Sequence, residues 1–152
     1  MFLGGIIRKR VIIMSVAEAE TPIKISATAG ATIPLLAGAV GKVLLAGMHA
    51  DQVRQMIREK GLPGYTPRAI TDEKEYFAEL GKVRSQGYAT DDEEYIPGIK
   101  AAAVALRNRK GPTLAVWTAG ISNAFNSEKM KKAIDVILSA SAKLRLALDE
   151  SG

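Results

Sequence analysis

The stretch Gly30 to Ala46 places the tightest limit on how this chain can fold. It reads Gly-Ala-Thr-Ile-Pro-Leu-Leu-Ala-Gly-Ala-Val-Gly-Lys-Val-Leu-Leu-Ala, a glycine-punctuated loop that runs straight into an apolar segment. Pro34 disfavours helical backbone angles at Ile33, and Gly38 and Gly41 let the main chain approach a neighbour or a ligand closely. A helix is expected from about Ala39 to Ala46. Its first turn leaves N–H groups without intrahelical partners, and its summed dipole favours an exposed anion there by about 0.3–1 kcal/mol. The plainer reading is a tight loop and a buried helix, since isolated glycines mostly serve turns. Gly41-Lys42 resembles the end of a nucleotide-phosphate loop. That motif needs glycine where this chain has Leu36 and a hydroxyl where it has Val43, and no Gly-x-Gly-x-x-Gly occurs.

A chain of 152 residues suits one domain with a sizeable core, and 47% apolar with 24% charged residues is ordinary for a globular protein. The absence of cysteine removes thiolate chemistry and disulfides, and a single histidine, His49, cannot supply a histidine metal centre; neither a metal nor a cofactor is expected. His49 reads as a surface or capping residue, because no nucleophile elbow accompanies it. No apolar run is long enough to span a bilayer. Met1 to Ile7 precedes Arg8-Lys9-Arg10, which reverses the charge order of a secretory signal, so a cytoplasmic location without membrane attachment is expected. The net charge of +5 permits nucleic-acid contact without requiring it. The basic residues are scattered over Arg8 to Arg10, Arg107 to Lys110 and Lys129 to Lys132, with little aromatic interleaving, which favours solvated faces.

In chain order, Val11 to Ala17 and Ile23 to Thr28 are expected to be strands of one hairpin. Helices follow at Ala39 to Ala46 and Ala50 to Lys60, the second ended by Gly61. Thr71 is expected to cap a third helix with Tyr76, Phe77, Leu80 and Val83 on its core stripe and Gly87 as a left-handed cap. Asp91 to Glu94 reads as an acidic turn, with a solvated face as its plain interpretation. Strands are expected at Ile99 to Leu106 and Thr113 to Ala119, joined by the basic Arg107 to Pro112, and Ser127 is expected to cap a long final helix. Strands and helices that are grouped rather than strictly alternating indicate an α+β fold: an antiparallel or mixed sheet with helices packed on its faces.

Pro34 to Ala46, the Tyr65-Thr66-Pro67 loop, Gly87-Tyr88-Ala89-Thr90-Asp91-Asp92-Glu93-Glu94 and Gly98-Ile99-Lys100-Ala101-Ala102-Ala103 together resemble the effector-binding domain of IclR-type bacterial transcription regulators. The likeness runs from about residue 10 to the C-terminus. It implies a GAF-like or profilin-like sheet, a pocket for a small organic effector, assembly into dimers or tetramers, and no catalytic activity. It also implies which residues line the pocket: Ala39 and Val40 at the helix start, Asp91, Ile99 and Ala101, and Trp117 and Ala119 on the last strand. Backbone donors at the helix start suit a carboxylate, and Asp91 suits a hydroxyl or hydrated carbonyl group. Relatives that take small oxo-acids carry hydroxyl and thiol side chains where this chain has Ala101, Trp117 and Ala119. That difference favours an apolar or aromatic ligand stacked on the indole, or a pocket partly filled by Trp117.

Such regulators reach DNA through a winged helix-turn-helix domain on the N-terminal side, and residues 1–152 are expected to form the single effector-binding domain without it. Two functional classes follow: a ligand-sensing regulatory module, or a stand-alone dimerising protein without ligand or DNA binding.

Overall fold

The computed structural model describes residues 1–18, 25, 27–108 and 111–151. Its elements are β1 (Phe2–Ile7), β2 (Arg10–Val16), β3 (Thr32–Pro34), α1 (Gly38–Ala46), α2 (Ala50–Lys60), α3 (Glu73–Gln86), β4 (Ala89–Asp92), β5 (Ile99–Leu106), β6 (Leu114–Ile121) and α4 (Ser127–Glu150). The six strands form one sheet in the order β3-β2-β1-β6-β5-β4, and every neighbouring pair is antiparallel. The α+β class is as expected, and the sheet is antiparallel rather than mixed.

The first hairpin differs from the expected one. Half of Ile23 to Thr28 lies outside the described residues, Ile25, Ala27 and Thr28 are in no strand, and the partners of β2 are β1 on one side and β3 on the other. The turn between β1 and β2 is Arg8-Lys9, both at positive φ (49° and 62°), the geometry that matches strand twist in a two-residue hairpin. β1 is hidden in the sequence by Gly4-Gly5, residues that usually weaken a strand. Here they have a packing reason. A Cβ on Gly4 would meet the Ile12 carbonyl and come within 2.9 Å of the Trp117 ring, and one on Gly5 would come within 2.8 Å of Leu114.

β6 is central, and each face is covered, as its apolar residues at both parities imply. On one face Ala115 and Trp117 join Ala101, Ala103, Val40, Val43, Leu44 and Leu80 in the main core, beneath α1 and α3. On the other, Ala102, Val104, Leu106 and Val116 pack with Ile137 of α4.

Two caps sit one residue from their expected places. Asp72, not Thr71, precedes α3, its Oδ2 accepting from the Glu75 N–H at 2.9 Å. Asn126, not Ser127, precedes α4, its Oδ1 accepting from the Lys129 N–H at 2.9 Å. In each pair both residues are competent caps, and the one three positions before the bonded N–H prevails. Gly87 closes α3 at φ 85° as anticipated.

Candidate functional site

The N-terminus of α1 faces the end of β4. Ala37 occupies the cap position and supplies no side-chain acceptor, so the first-turn amides, those of Ala39 and Val40 among them, belong to an end without a side-chain cap. Gly38 adopts φ 57°, and a Cβ there would stand 2.6 Å from the Asp91 Oδ2. Glycine at this position therefore lets the aspartate approach the positive end of the helix.

Asp91 is not in a solvated turn. It belongs to β4, is 4% exposed, and its Oδ1 accepts from the Glu94 N–H at 2.6 Å. Burial raises its carboxyl to about 6 against backbone N–H groups of Glu94 and Tyr95 and the Lys42 ammonium, which favour the charged form, while the Glu94 carboxylate adds to the rise. The other three acids of the run are also partnered. Asp92 pairs with Arg68 at 3.0 Å and Lys100 at 3.3 Å. Glu93, at φ 59°, pairs with Arg68 at 3.3 Å and accepts from the Gly98 N–H at 2.6 Å. Glu94 reaches Lys42 at 2.8 Å.

Lys42 projects from the middle of α1 and is 2% exposed. Its ammonium contacts Glu94, Glu79 of α3 at 3.4 Å and the Thr90 carbonyl at 3.0 Å. The Thr66 hydroxyl lies 2.6 Å from the Glu93 carbonyl and 3.1 Å from that of Glu94. One buried cation and one hydroxyl thus fasten the turn after β4 to α1, α3 and the loop before α3.

The seven residues expected at the pocket fall on two surfaces that meet. Asp91, Ala101 and Ala119 are cross-strand neighbours in one row over β4, β5 and β6. Ala103 and Trp117 form the next row, which continues to Phe2 of β1, and Ile99 lies on the same face of β5. Ala39 and Val40 start the helix that covers this face, and they share the main core with Ala101 and Trp117. The Trp117 ring stacks on Phe2 with centroids 5.4 Å apart and planes 18° from parallel. Two cavities near this end of α1 are lined by neighbours of these residues rather than by the seven themselves. One, of about 20 Å³, is bounded by Gly38, Lys42, Tyr65, Tyr76 and Glu94 among others. The other, of about 150 Å³, opens between Arg10, Leu36, Met56, Lys60 and Tyr65.

Lys42, Glu94 and Thr66 stand within the motifs of the resemblance but not among the residues expected to line the pocket. A lone lysine among eight apolar or glycine residues of α1 was the available signal, since a charge in such a setting needs a partner.

Residues 3–146 match the family model described as the bacterial transcriptional regulator IclR C-terminal domain. The regulator KdgR of Escherichia coli is 31% identical over 112 residues, covering 73% of this chain and 43% of that protein. The regulator BhcR of Paracoccus denitrificans is 26% identical over 147 residues, covering 96% of this chain and 53% of that protein. A crystal structure of an IclR transcriptional regulator from Alicyclobacillus acidocaldarius superposes with a TM-score of 0.88 at 32% identity, over 95% of this chain and 59% of that one. The chain thus spans about half the length of the curated relatives it matches, and these relatives are transcription regulators, not enzymes. Among the described residues no helix is long and apolar enough to cross a membrane. The motifs on the α1 start and the β4 turn, the antiparallel sheet and the match over residues 3–146 converge on one conclusion: this chain belongs to the IclR family of bacterial transcription regulators and corresponds to its C-terminal domain.

Proposed function

We propose that this domain senses a small organic acid and, through its oligomeric state, controls DNA binding by a winged-helix domain outside residues 1–152, within a cytoplasmic regulator. The observation that carries this reading is the approach of Asp91 to the uncapped start of α1. A carboxylate would be received by the amides of Ala39 and Val40, while Asp91 engages a hydroxyl or hydrated carbonyl of the same molecule. Ile99, Ala101, Ala119 and Trp117 would bound its apolar part, which favours a ligand with an aromatic or aliphatic body over a minimal oxo-acid.

Self-association fits the exposed apolar side chains Ile7 and Met14 (each 50% exposed) on the β1–β2 hairpin and Val136 and Leu146 (54% and 65%) on α4. Sedimentation should show a dimer or tetramer at tens of micromolar, little altered by salt, because exposed ion pairs contribute only about 0–1 kcal/mol each.

A thermal-stability screen against small aliphatic and aromatic carboxylic acids tests the ligand. A true effector at one hundred times its dissociation constant should add about 2.7 kcal/mol, and the gain should shrink in Asp91→Ala. If no acid stabilises the domain while it still associates, the alternative of a dimerising protein without a ligand takes its place.

A further inference from the structure

The C-terminal end of α1 opens on a second cleft, of about 350 Å³, remote from the Asp91 end of the helix. Its floor is apolar and includes Val43, Ala46, Val83, Val104 and Leu138, and three arginines line it: Arg84 of α3, Arg107 just beyond β5, and Arg145 of α4. The nine-residue helix between the two ends is about 13 Å long, so this cleft and the proposed effector position do not overlap.

The arginines exceed what the fold asks of them. α1 has no basic residue in its own last turn, and a guanidinium near its final carbonyls is a reasonable complement to the helix dipole. Arg84 meets that need by donating to the Ala46 carbonyl at 3.3 Å. Arg107 lies against Gly47, where a Cβ would stand 3.1 Å from its Nη2. Arg145, one turn beyond the buried Ser141 on α4, serves neither. A helix end carries only about half a negative charge, against three guanidiniums. Among the described residues none of the three forms an ion pair with a carboxylate. The Ser141 hydroxyl donates to the Leu138 carbonyl at 2.8 Å, so the donors open to an anion are the guanidinium N–H groups.

We propose that this cleft is a second ligand site, which takes an organic dianion: two carboxylates or one phosphate on a small apolar body. Paired N–H donors of arginine match the planar oxygens of either group, and the volume lies at the lower end of the range for small-molecule pockets. The apolar floor distinguishes such a ligand from a bare inorganic ion.

Phthalate and phenyl phosphate serve as probes of the two acid classes, with inorganic phosphate as the charge-only control, in amide-resolved NMR titrations of the 152-residue chain. One of the two organic probes should shift the amides of Gly47, Gly87 and Ser141 saturably, at least about tenfold more tightly than inorganic phosphate. Arg145→Ala, at an exposed position whose side chain has no hydrogen-bond partner among the described residues, should weaken that binding about fivefold or more with an unchanged thermal midpoint, and Arg107→Ala should do so independently. The inference is overturned if neither organic probe shifts these amides at millimolar concentration. It is equally overturned if the shifts centre on Ala39, Val40 and Asp91, or if both variants bind as the parent does.

Discussion

The Nζ of Lys42 lies 2.8 Å from the Oε2 of Glu94, and the lysine is 2% exposed at the centre of an otherwise apolar helix. This contact crosses from α1 to the turn after β4, so the backbone that presents Asp91 is held by a charge on the helix it faces. Removing one member of a buried pair leaves the other charge without compensation, which costs far more than the pair itself contributes. Lys42→Met should therefore destabilise the domain by about 3–5 kcal/mol in urea unfolding, and adding Glu94→Gln should recover part of that loss. A single variant within 1 kcal/mol of the parent, roughly the value of an exposed pair, would show that the contact holds nothing.

Gly41 gives a steric counterpart. A Cβ at this position would collide with the Leu35 carbonyl, part of the rigid backbone of the loop that leads into α1. Gly41→Ala should cost about 1–3 kcal/mol from overpacking despite the higher helix propensity of alanine, and Gly41→Val more. Denaturation midpoints of the two variants check the order; a neutral Gly41→Ala would mean that the loop yields without strain.

The sequence made some of this legible and concealed the rest for identifiable reasons. The helices declared themselves through periodicity and glycine stops, and β5 and β6 through apolar runs, because each signal is local. β1 was concealed because Gly4 and Gly5 are selected by the Trp117 and Leu114 side chains of a strand more than a hundred residues away. The run that holds Asp91 reads in sequence as a solvated turn, because four adjacent acids look alike until Lys42, Arg68 and Lys100 arrive from elsewhere. Lys42 resembles in sequence the end of a phosphate loop, and its role emerges from contacts with residues 37 and 52 positions later.

Asp91 should make stability depend on pH in a sense opposite to that of a salt-bridged aspartate. Burial pushes its carboxyl up to about 6, against 3.8 for an aspartate open to water, so between those limits the folded chain binds the proton more tightly. Its contribution is fully present below about pH 4 and is lost as pH rises through about 6, by an amount on the order of 3 kcal/mol. Asp91→Asn keeps an oxygen acceptor for the Glu94 N–H and removes the buried charge. It should be more stable than the parent near neutral pH and lose that advantage near pH 4. Unfolding curves for both proteins across that window decide the matter; parallel pH profiles would assign the dependence to another group. By the same logic, an effector carboxylate at the α1 start should bind more tightly as pH falls through about 6.

Trp117 offers a reading of the proposed ligand position without a label, since it is the only tryptophan in the chain. Its ring stacks on Phe2 and passes over Gly4, so one side of the indole is committed to packing. The residues beside it on the sheet face are small: Ala103 is its cross-strand partner, and Ala119 lies two positions along β6. A ligand on the Asp91–Ala101–Ala119 row would stand one row from the indole and change the polarity around it. Emission should therefore shift or quench saturably with the effector, with a midpoint equal to the dissociation constant from calorimetry. Trp117→Ala should alter the range of acids accepted, at a stability cost of about 3–5 kcal/mol for a core aromatic. Phe2→Leu separates packing from ligand contact: it should move the baseline emission and leave the ligand-induced change in place. If a ligand that binds by calorimetry leaves the emission of Trp117 unchanged, it does not lie on this row, and the indole is a core residue alone.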